Sequence, residues 1–414
     1  MTATTHVPTL TSTRRGRQAH ILLVVENVSL ARDHRLRKQS DTLVKAGYRV
    51  TVICRRDPGN QANAGIRVRD YRPPADGRSK LGFAREYGYS LVRASWLIAR
   101  TFATDRFDAV QISGTPDLYF AIAAPFRRLG ARLVFDQRDL SPELYELRYG
   151  RRGAAYRALL WLERASYRSA DHVITVNRSL EHVAYERGGL ALGQVSIVGN
   201  GPVLARTRSA VARPELRHGR RYLCCWIGVM GPQDRVELAL AAVHELVTRL
   251  RRTDCHFAFV GDGETRVQCE QVAASLGLEA YVCFPGWLAE ANAFDYLATA
   301  DVAIEPNLEQ IVSPVKAMEY LAFGLPFVAF DLTETRALAG DAAAYAEPGN
   351  VHEMADRLDA LLDDPDRRSR MSLAGRELAE EHVAWECQEQ TYLRIYRTLI
   401  DPDTATAPPT RGTR

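Results

Sequence analysis

Short apolar runs separated by amphipathic stretches of helical period recur in two blocks, and this alternation leaves few folds open to the chain. In the first block the runs lie at 21–25, 50–54, 109–112, 132–135, 172–176 and 195–198. In the second they lie at 222–227, 256–260, 281–284, 302–304 and 327–330. Runs that are apolar at every position, not at every other one, suit strands covered on both faces, as in parallel sheets built from strand–helix units. The sequence therefore predicts two doubly wound α/β lobes. The blocks are separated by Gly199-Asn200-Gly201-Pro202 and a stretch rich in Arg, Ala and Pro. The expected organisation is a disordered tail over 1–18, a domain over 19–203, a linker over 204–220 and a domain over 221–385. A helix over 386–400 is free to cross back to the first domain, and a second disordered tail covers 401–414.

Composition excludes several alternatives. In 414 residues, 46% hydrophobic and 25% charged, there is enough apolar surface for two ordinary cores. No run reaches the roughly 18 to 20 apolar residues a membrane helix needs, and 21–25 is too short for a signal segment, so a cytoplasmic protein is expected. Seven cysteines (54, 224, 225, 255, 269, 283 and 387) form no CxxC pair, and ten histidines form no HExxH. Reduced structural thiols and no metal site are expected. Gly-x-Ser-x-Gly and the P-loop pattern are absent, and Asp364-Pro-Asp366 and Asp401-Pro-Asp403 sit in Pro-containing loops without a preceding strand. The net charge of +4 conceals an asymmetry: residues 1–205 carry +14 and the rest −10. A basic first half favours an anionic partner such as a phospholipid surface or a phosphorylated acceptor. Solvated arginines in a lysine-poor chain are the alternative, Lys standing only at 38, 45, 80 and 316.

Ligands of open parallel sheets bind beyond the carboxyl ends of the strands. The residues there are polar and Gly-rich: Ser113-Gly114-Thr115, Asp136-Gln137-Arg138-Asp139, Gly228, Gly261-Asp262-Gly263-Glu264, Gly286-Trp287 and Glu305-Pro306. The segment Ser313-Pro314-Val315-Lys316-Ala317-Met318-Glu319 reads as a helix start with Ser313 as N-cap and Pro314 at the first helical position. Gly324 ends that helix. Lys316 in the first turn opposes the helix dipole unless an anion binds there too, and a diphosphate suits the place. Glu319, one turn deeper, is suited to accept hydrogen bonds from two ribose hydroxyls, although a surface Lys–Glu pair is an alternative. Trp287 is placed either to stack on a nucleobase or to pack.

Four segments together carry a family likeness. The run Glu319-Tyr-Leu-Ala-Phe-Gly-Leu-Pro-Phe-Val328, the turn Phe259-Val-Gly-Asp-Gly-Glu264, the segment Val198-Gly-Asn-Gly-Pro202, and Asp33-His-Arg35 with Ala46-Gly-Tyr-Arg-Val-Thr51 resemble glycosyltransferase family 4 over roughly residues 20 to 400. The resemblance implies a GT-B fold, in which two Rossmann-like doubly wound domains face each other across a cleft. It also implies a nucleotide-sugar donor on the C-terminal lobe and an acceptor on the N-terminal lobe. Retention of configuration, no required metal and no cofactor are implied as well. Gly228, Arg235, Gly261, Asp262, Trp287, Glu309, Ile311, Val312, Ser313, Lys316 and Glu319 are the implied donor-binding residues. Asp33, Arg35 and Gly114 are the implied acceptor-binding residues.

The chain departs from the family pattern in three places. Relatives carry two glutamates eight apart, and Glu319 fits the second place while Ile311 occupies the first, with Glu309 nearby. Val229 and Asp234 stand where many relatives place an Arg and a Lys on the diphosphate, which leaves that charge to Arg235 and Lys316. A histidine usual after the fourth strand of the first lobe is replaced by Asp136-Gln137-Arg138-Asp139, so Asp136, Arg138 and Asp139 become the candidate catalytic residues, Asp139 having a rival role as helix N-cap. The expected function is a retaining glycosyltransferase moving a sugar from an NDP-sugar to a glycan, lipid-linked or small-molecule acceptor hydroxyl, in bacterial envelope or exopolysaccharide assembly or in glycosylated natural-product synthesis. A catalytically silent transferase-like partner subunit and a nucleotide-sugar 2-epimerase are the alternatives. Nucleic acid is not an expected partner. The segment 81–102, with arginines among aromatics, allows peripheral contact with an anionic membrane at the inner face of the plasma membrane, or plain helix packing with snorkelling arginines.

Overall fold

The computed structural model describes residues 13–14, 17–26, 28–60, 65–72, 80–113, 117–311 and 313–400. Gly114 and Val312, both expected at the site, lie outside the described residues, as do 1–12, 15–16 and 401–414 of the expected tails. Within the first tail, Thr13–Arg14 and Arg17–Gln18 form a short antiparallel pair, and Arg17 donates to the Asp108 carboxylate at 3.0 Å. The chain divides into two compact units, one ending at Val198 and completed by residues from Glu389 on, the other spanning Gly199–Gln388. Among the described residues no helix is long and apolar enough to cross a membrane.

The first unit is built on seven strands, β1 (His20–Val25), β2 (Arg49–Arg55), β3 (Ile66–Tyr71), β4 (Ala109–Ser113), β5 (Arg132–Asp136), β6 (His172–Thr175) and β7 (Val195–Ile197). Their order across the sheet is β3-β2-β1-β4-β5-β6-β7, all parallel. The strand order turns back at β1 and β4, as in a doubly wound fold. Every residue of β1 is buried, the burial its continuous apolar pattern calls for. β3 was not among the expected strands. Its Ile-Arg-Val-Arg-Asp-Tyr sequence pairs on one side only, and an edge strand can remain charged.

The second unit has six parallel strands, β8 (Tyr222–Val229), β9 (Cys255–Asp262), β10 (Val282–Gly286), β11 (Val302–Glu305), β12 (Phe327–Phe330) and β13 (Ala343–Ala346), in the order β10-β9-β8-β11-β12-β13. Consecutive residues of its central strands feed different cores. Cys224, Trp226, Phe257 and Phe259 pack into one apolar cluster, while Leu223, Cys225, Ala258 and Val260 pack into the other on the opposite face. That division explains why the runs are apolar at every position. The stretch 204–220, expected to be a linker, is instead folded against the second unit. Arg213 reaches Asp295 at 2.5 Å and Arg217 reaches Asp301 at 2.5 Å, so these two arginines anchor the stretch.

Candidate active site

At the carboxyl ends of β8 and β9 the two backbones approach so closely that a side chain cannot intervene. Gly228 has φ 156° and Gly261 φ 141°, and a Cβ on Gly261 would stand 1.8 Å from the Gly228 carbonyl oxygen. A Cβ on Gly228 would meet the Lys316 side chain at 3.0 Å. Glycine at both positions lets the strand ends and the lysine share one small space.

The helix that supplies this lysine, α1 (Val315–Phe323), starts one residue later than the sequence suggests. Pro314 is its N-cap with ψ 71°, outside the helical range, and no side chain caps the turn. Ser313 does not act as the cap, and its buried hydroxyl has no protein partner. The first-turn N–H groups are thus left without a side-chain acceptor, which suits an anion. Gly324 closes the helix in the left-handed conformation, φ 60°.

Lys316 Nζ does not point at open solvent. It donates to Asp234 at 2.7 Å, stands 3.9 Å from Glu305 and lies 5.5 Å above the Trp226 ring. Burial opposes the charge on Lys316, but Glu305 and Asp234 outweigh it and raise its pKa. Glu305 is buried at the end of β11, and burial pushes its carboxyl up despite Lys316. One Glu305 oxygen and the Trp226 indole nitrogen are buried without a hydrogen-bond partner. Buried polar groups without partners are costly. Asp234 and Trp226 were not among the expected donor residues. Glu305 stood in the strand-end sequence, but its place beside Lys316 follows only from the packing of α1 on β11.

The other expected donor residues are distributed around this point. Arg235, with φ 50°, turns its guanidinium to Glu237 at 2.5 Å, so the cationic grip expected of it is directed elsewhere. Asp262 accepts from the Gly263 N–H at 2.8 Å, and Trp287 is 64% exposed after β10, as a stacking platform would be. Glu309 is held through its N–H, which donates to Asn307 Oδ1 at 2.9 Å. Ile311 is half-buried and carries no charge. Glu319 is half-buried on α1 and contributes to the field at Lys316.

In the first unit Asp33 and Arg35, expected on the acceptor side, meet the expected catalytic residues Asp136 and Arg138, but inside the protein. Asp136 ends β5 with no exposure at all. Arg35 reaches it at 2.7 and 3.2 Å, Gln39 at 3.0 Å, Gln111 at 3.2 Å and Arg138 at 3.3 Å. Burial would raise its carboxyl, but Arg35 and then Arg138, with hydrogen bonds from Arg35 and Gln39, hold it down at about 2. Arg138 also pairs with Asp33, whose side chain caps the helix His34–Lys45 by accepting from the Leu36 N–H at 2.9 Å. Arg35 is spent on Asp136 and on the Val198 carbonyl at 2.9 Å. Asp136, Arg35 and Asp33 therefore act as a buried frame that positions Arg138. Arg138 keeps one buried nitrogen without a partner, and Asp139 is exposed beside it. Asp139 does not cap the next helix, whose N-cap is Leu140.

Sequence reasoning missed the rest of this frame. Gln111 Oε1 accepts from the hydroxyls of Tyr392 at 2.9 Å and Tyr396 at 2.6 Å, both on the last helix, Trp385–Ile400. No spacing along the chain links residues this far apart. In the helix Lys80–Thr104, Val92 and Trp96 are exposed, and Arg93 and Arg100 lie over the Trp96 ring. The expectation of no metal site rested on spacing alone. The fold brings the ligand atoms of His218, His256 and Cys283 within 4.8 Å of one another.

The two parallel doubly wound units have the GT-B architecture of solved glycosyltransferases. Family models agree: "Glycosyl transferase 4-like domain" matches residues 33–201 and "Glycosyl transferases group 1" matches 221–364. The chain belongs to the family-4-like GT-B glycosyltransferases. It is 28% identical to the alpha-D-kanosaminyltransferase of Streptomyces kanamyceticus over 181 residues, which is 43% of this chain but only 46% of that relative. It is 24% identical to the glycogen synthase of Mycobacterium tuberculosis over 383 residues, 86% of this chain and 88% of the relative. Among solved structures, Anabaena HepE in complex with UDP and glucose superposes with a TM-score of 0.70 at 15% identity, covering 91% of this chain and 99% of that one.

Proposed function

We propose that the protein transfers a sugar, with retention of configuration, from a nucleoside-diphosphate sugar to an acceptor hydroxyl. The diphosphate would lie at the N-terminus of α1 and the ribose on Glu319. The observation that carries this reading is the Lys316 ammonium at that tip, over the Trp226 ring and 3.9 Å from a buried Glu305 oxygen that has no hydrogen-bond partner, with the buried, unpartnered hydroxyl of Ser313 three residues before it on the chain. Negative charge grows on the leaving phosphate as the sugar bond breaks, and fixed N–H dipoles with Lys316 would stabilise it there. In front-face attack the acceptor hydroxyl is itself the nucleophile, and the leaving phosphate can accept its proton, so the step requires neither an enzyme nucleophile nor an enzyme base. Lys316 already stands between two carboxylates, where a divalent ion would have to displace it, and this supports transfer without a metal at the donor. The nucleotides bound by HepE support a nucleotide-sugar donor.

Arg138 and Asp139, held by the buried frame at β5, are the acceptor-side residues in this reading. Incubation with UDP-, GDP- and dTDP-sugars and hydroxyl acceptors should release nucleoside diphosphate together with a glycosylated product of unchanged anomeric configuration. An epimerised sugar, or saturable binding with no turnover on any acceptor, would overturn the proposal.

A further inference from the structure

At the opposite end of the second sheet from the donor rim, three side chains from separate segments converge. His256 is the second residue of β9, and Cys283 is the second residue of β10. The register Ala258↔Cys283 puts His256 and Cys283 on the same sheet face, because His256 and Ala258 are two apart on one strand. His218 caps the short turn Pro214–Arg217 that ends the strap over 204–220, and its ring lies 4.3 Å from that of His256. The ligand atoms of all three lie within 4.8 Å of one another.

The decisive observation is His256. It is only 5% exposed, and neither ring nitrogen has a hydrogen-bond partner. A buried imidazole almost always satisfies at least one nitrogen, and a metal ion is the partner that would satisfy this one. Arg220, two residues after His218, is turned to the carbonyls of Thr253 and Ala280.

We propose that His218, His256 and Cys283 form a binding site for a divalent cation of the zinc class, remote from the donor rim. Two imidazole nitrogens and one thiolate are a donor set for tetrahedral zinc with a water in the fourth place. In such a site the donor atoms stand roughly 3.5 Å apart, so binding would draw together three side chains whose ligand atoms already lie within 4.8 Å of one another. As the metal–sulfur bond forms, the Cys283 proton passes to solvent. The bound ion would tie the strap to two strands of the sheet.

The test is titration of the chelator-stripped, full-length protein with Co²⁺, then displacement by Zn²⁺. One cobalt per chain is expected, with the visible bands of a tetrahedral ion and a thiolate-to-cobalt charge-transfer band. Cys283→Ser should abolish the charge-transfer band. His218→Ala, at an exposed position that leaves the core intact, should weaken binding at least about tenfold, the cost of losing even an outer-shell partner. Absence of saturable binding, or binding with the same spectrum and affinity in both variants, would overturn the proposal.

Discussion

At the scale of single residues, the account turns on what Lys316 faces. With Asp234 at 2.7 Å and Glu305 at 3.9 Å, its charge is largely offset before any anion arrives. Asp234→Asn removes one of those negative charges, yet its side-chain oxygen can still accept from the Gly231 N–H, now at 3.1 Å. We expect this variant to bind nucleoside diphosphate about fivefold more tightly, a gain of about 1 kcal/mol from one less competing charge near the site. Unchanged or weaker binding by titration calorimetry would show that Asp234 does not restrain Lys316. The place of Lys316 in the first turn of α1, with Glu319 one turn deeper, was legible in the sequence from the Ser-Pro helix start and the glycine that ends the helix. Asp136 was legible as a strand-end acid, but its burial was not. The arginine that encloses it comes from residue 35, the glutamines from 39 and 111, and only the fold brings them together.

At the scale of elements, most strands could be read because both of their faces are buried. The two strands missed in the parallel sheets are edges: β3 carries alternating charges, and β13 is mostly alanine, the residue that favours helix most. The start of α1 was misplaced by one residue because Pro314 takes a ψ that excludes it from the helix. Two further helices of the first unit, Ser141–Tyr149 and Ala154–Ser169, hold a charge arrangement with a pH signature. Asp117 is buried against Ser141, and burial, with Glu163 next, raises its carboxyl to about 8. Burial also raises Glu163 to about 7, in spite of Arg187. Acids whose pKa is raised by folding favour the native state below the ordinary carboxylate range, and that contribution is lost as the pH rises through the folded values. From urea denaturation, the stability of wild type relative to the Asp117→Asn variant should therefore fall between about pH 5 and about pH 8.5. An equal fall in wild type and variant would show that Asp117 does not ionise in this range.

At the scale of the whole molecule, the chain makes two sheets of the same handed design and gives them opposite charge, +14 over residues 1–205 and −10 over the remainder. The sequence made the two-lobed architecture legible, and the family models over 33–201 and 221–364 match it lobe by lobe. It did not show that 204–220 is a folded strap, since arginines that pair with Asp295 and Asp301 look like solvated charge until the partners are known. Nor did it show the buried hydroxyls of Tyr392 and Tyr396 holding Gln111 beneath Asp136. The central claim is that one helix tip in the second unit receives a diphosphate, and its most direct measurement is the affinity of the Lys316→Ala, Glu319→Gln double variant for the nucleoside diphosphate released in transfer. With an unchanged melting temperature, the account predicts affinity at least about tenfold below wild type, as loss of a charge-assisted contact and a ribose acceptor requires. Wild-type affinity in the folded double variant would contradict it.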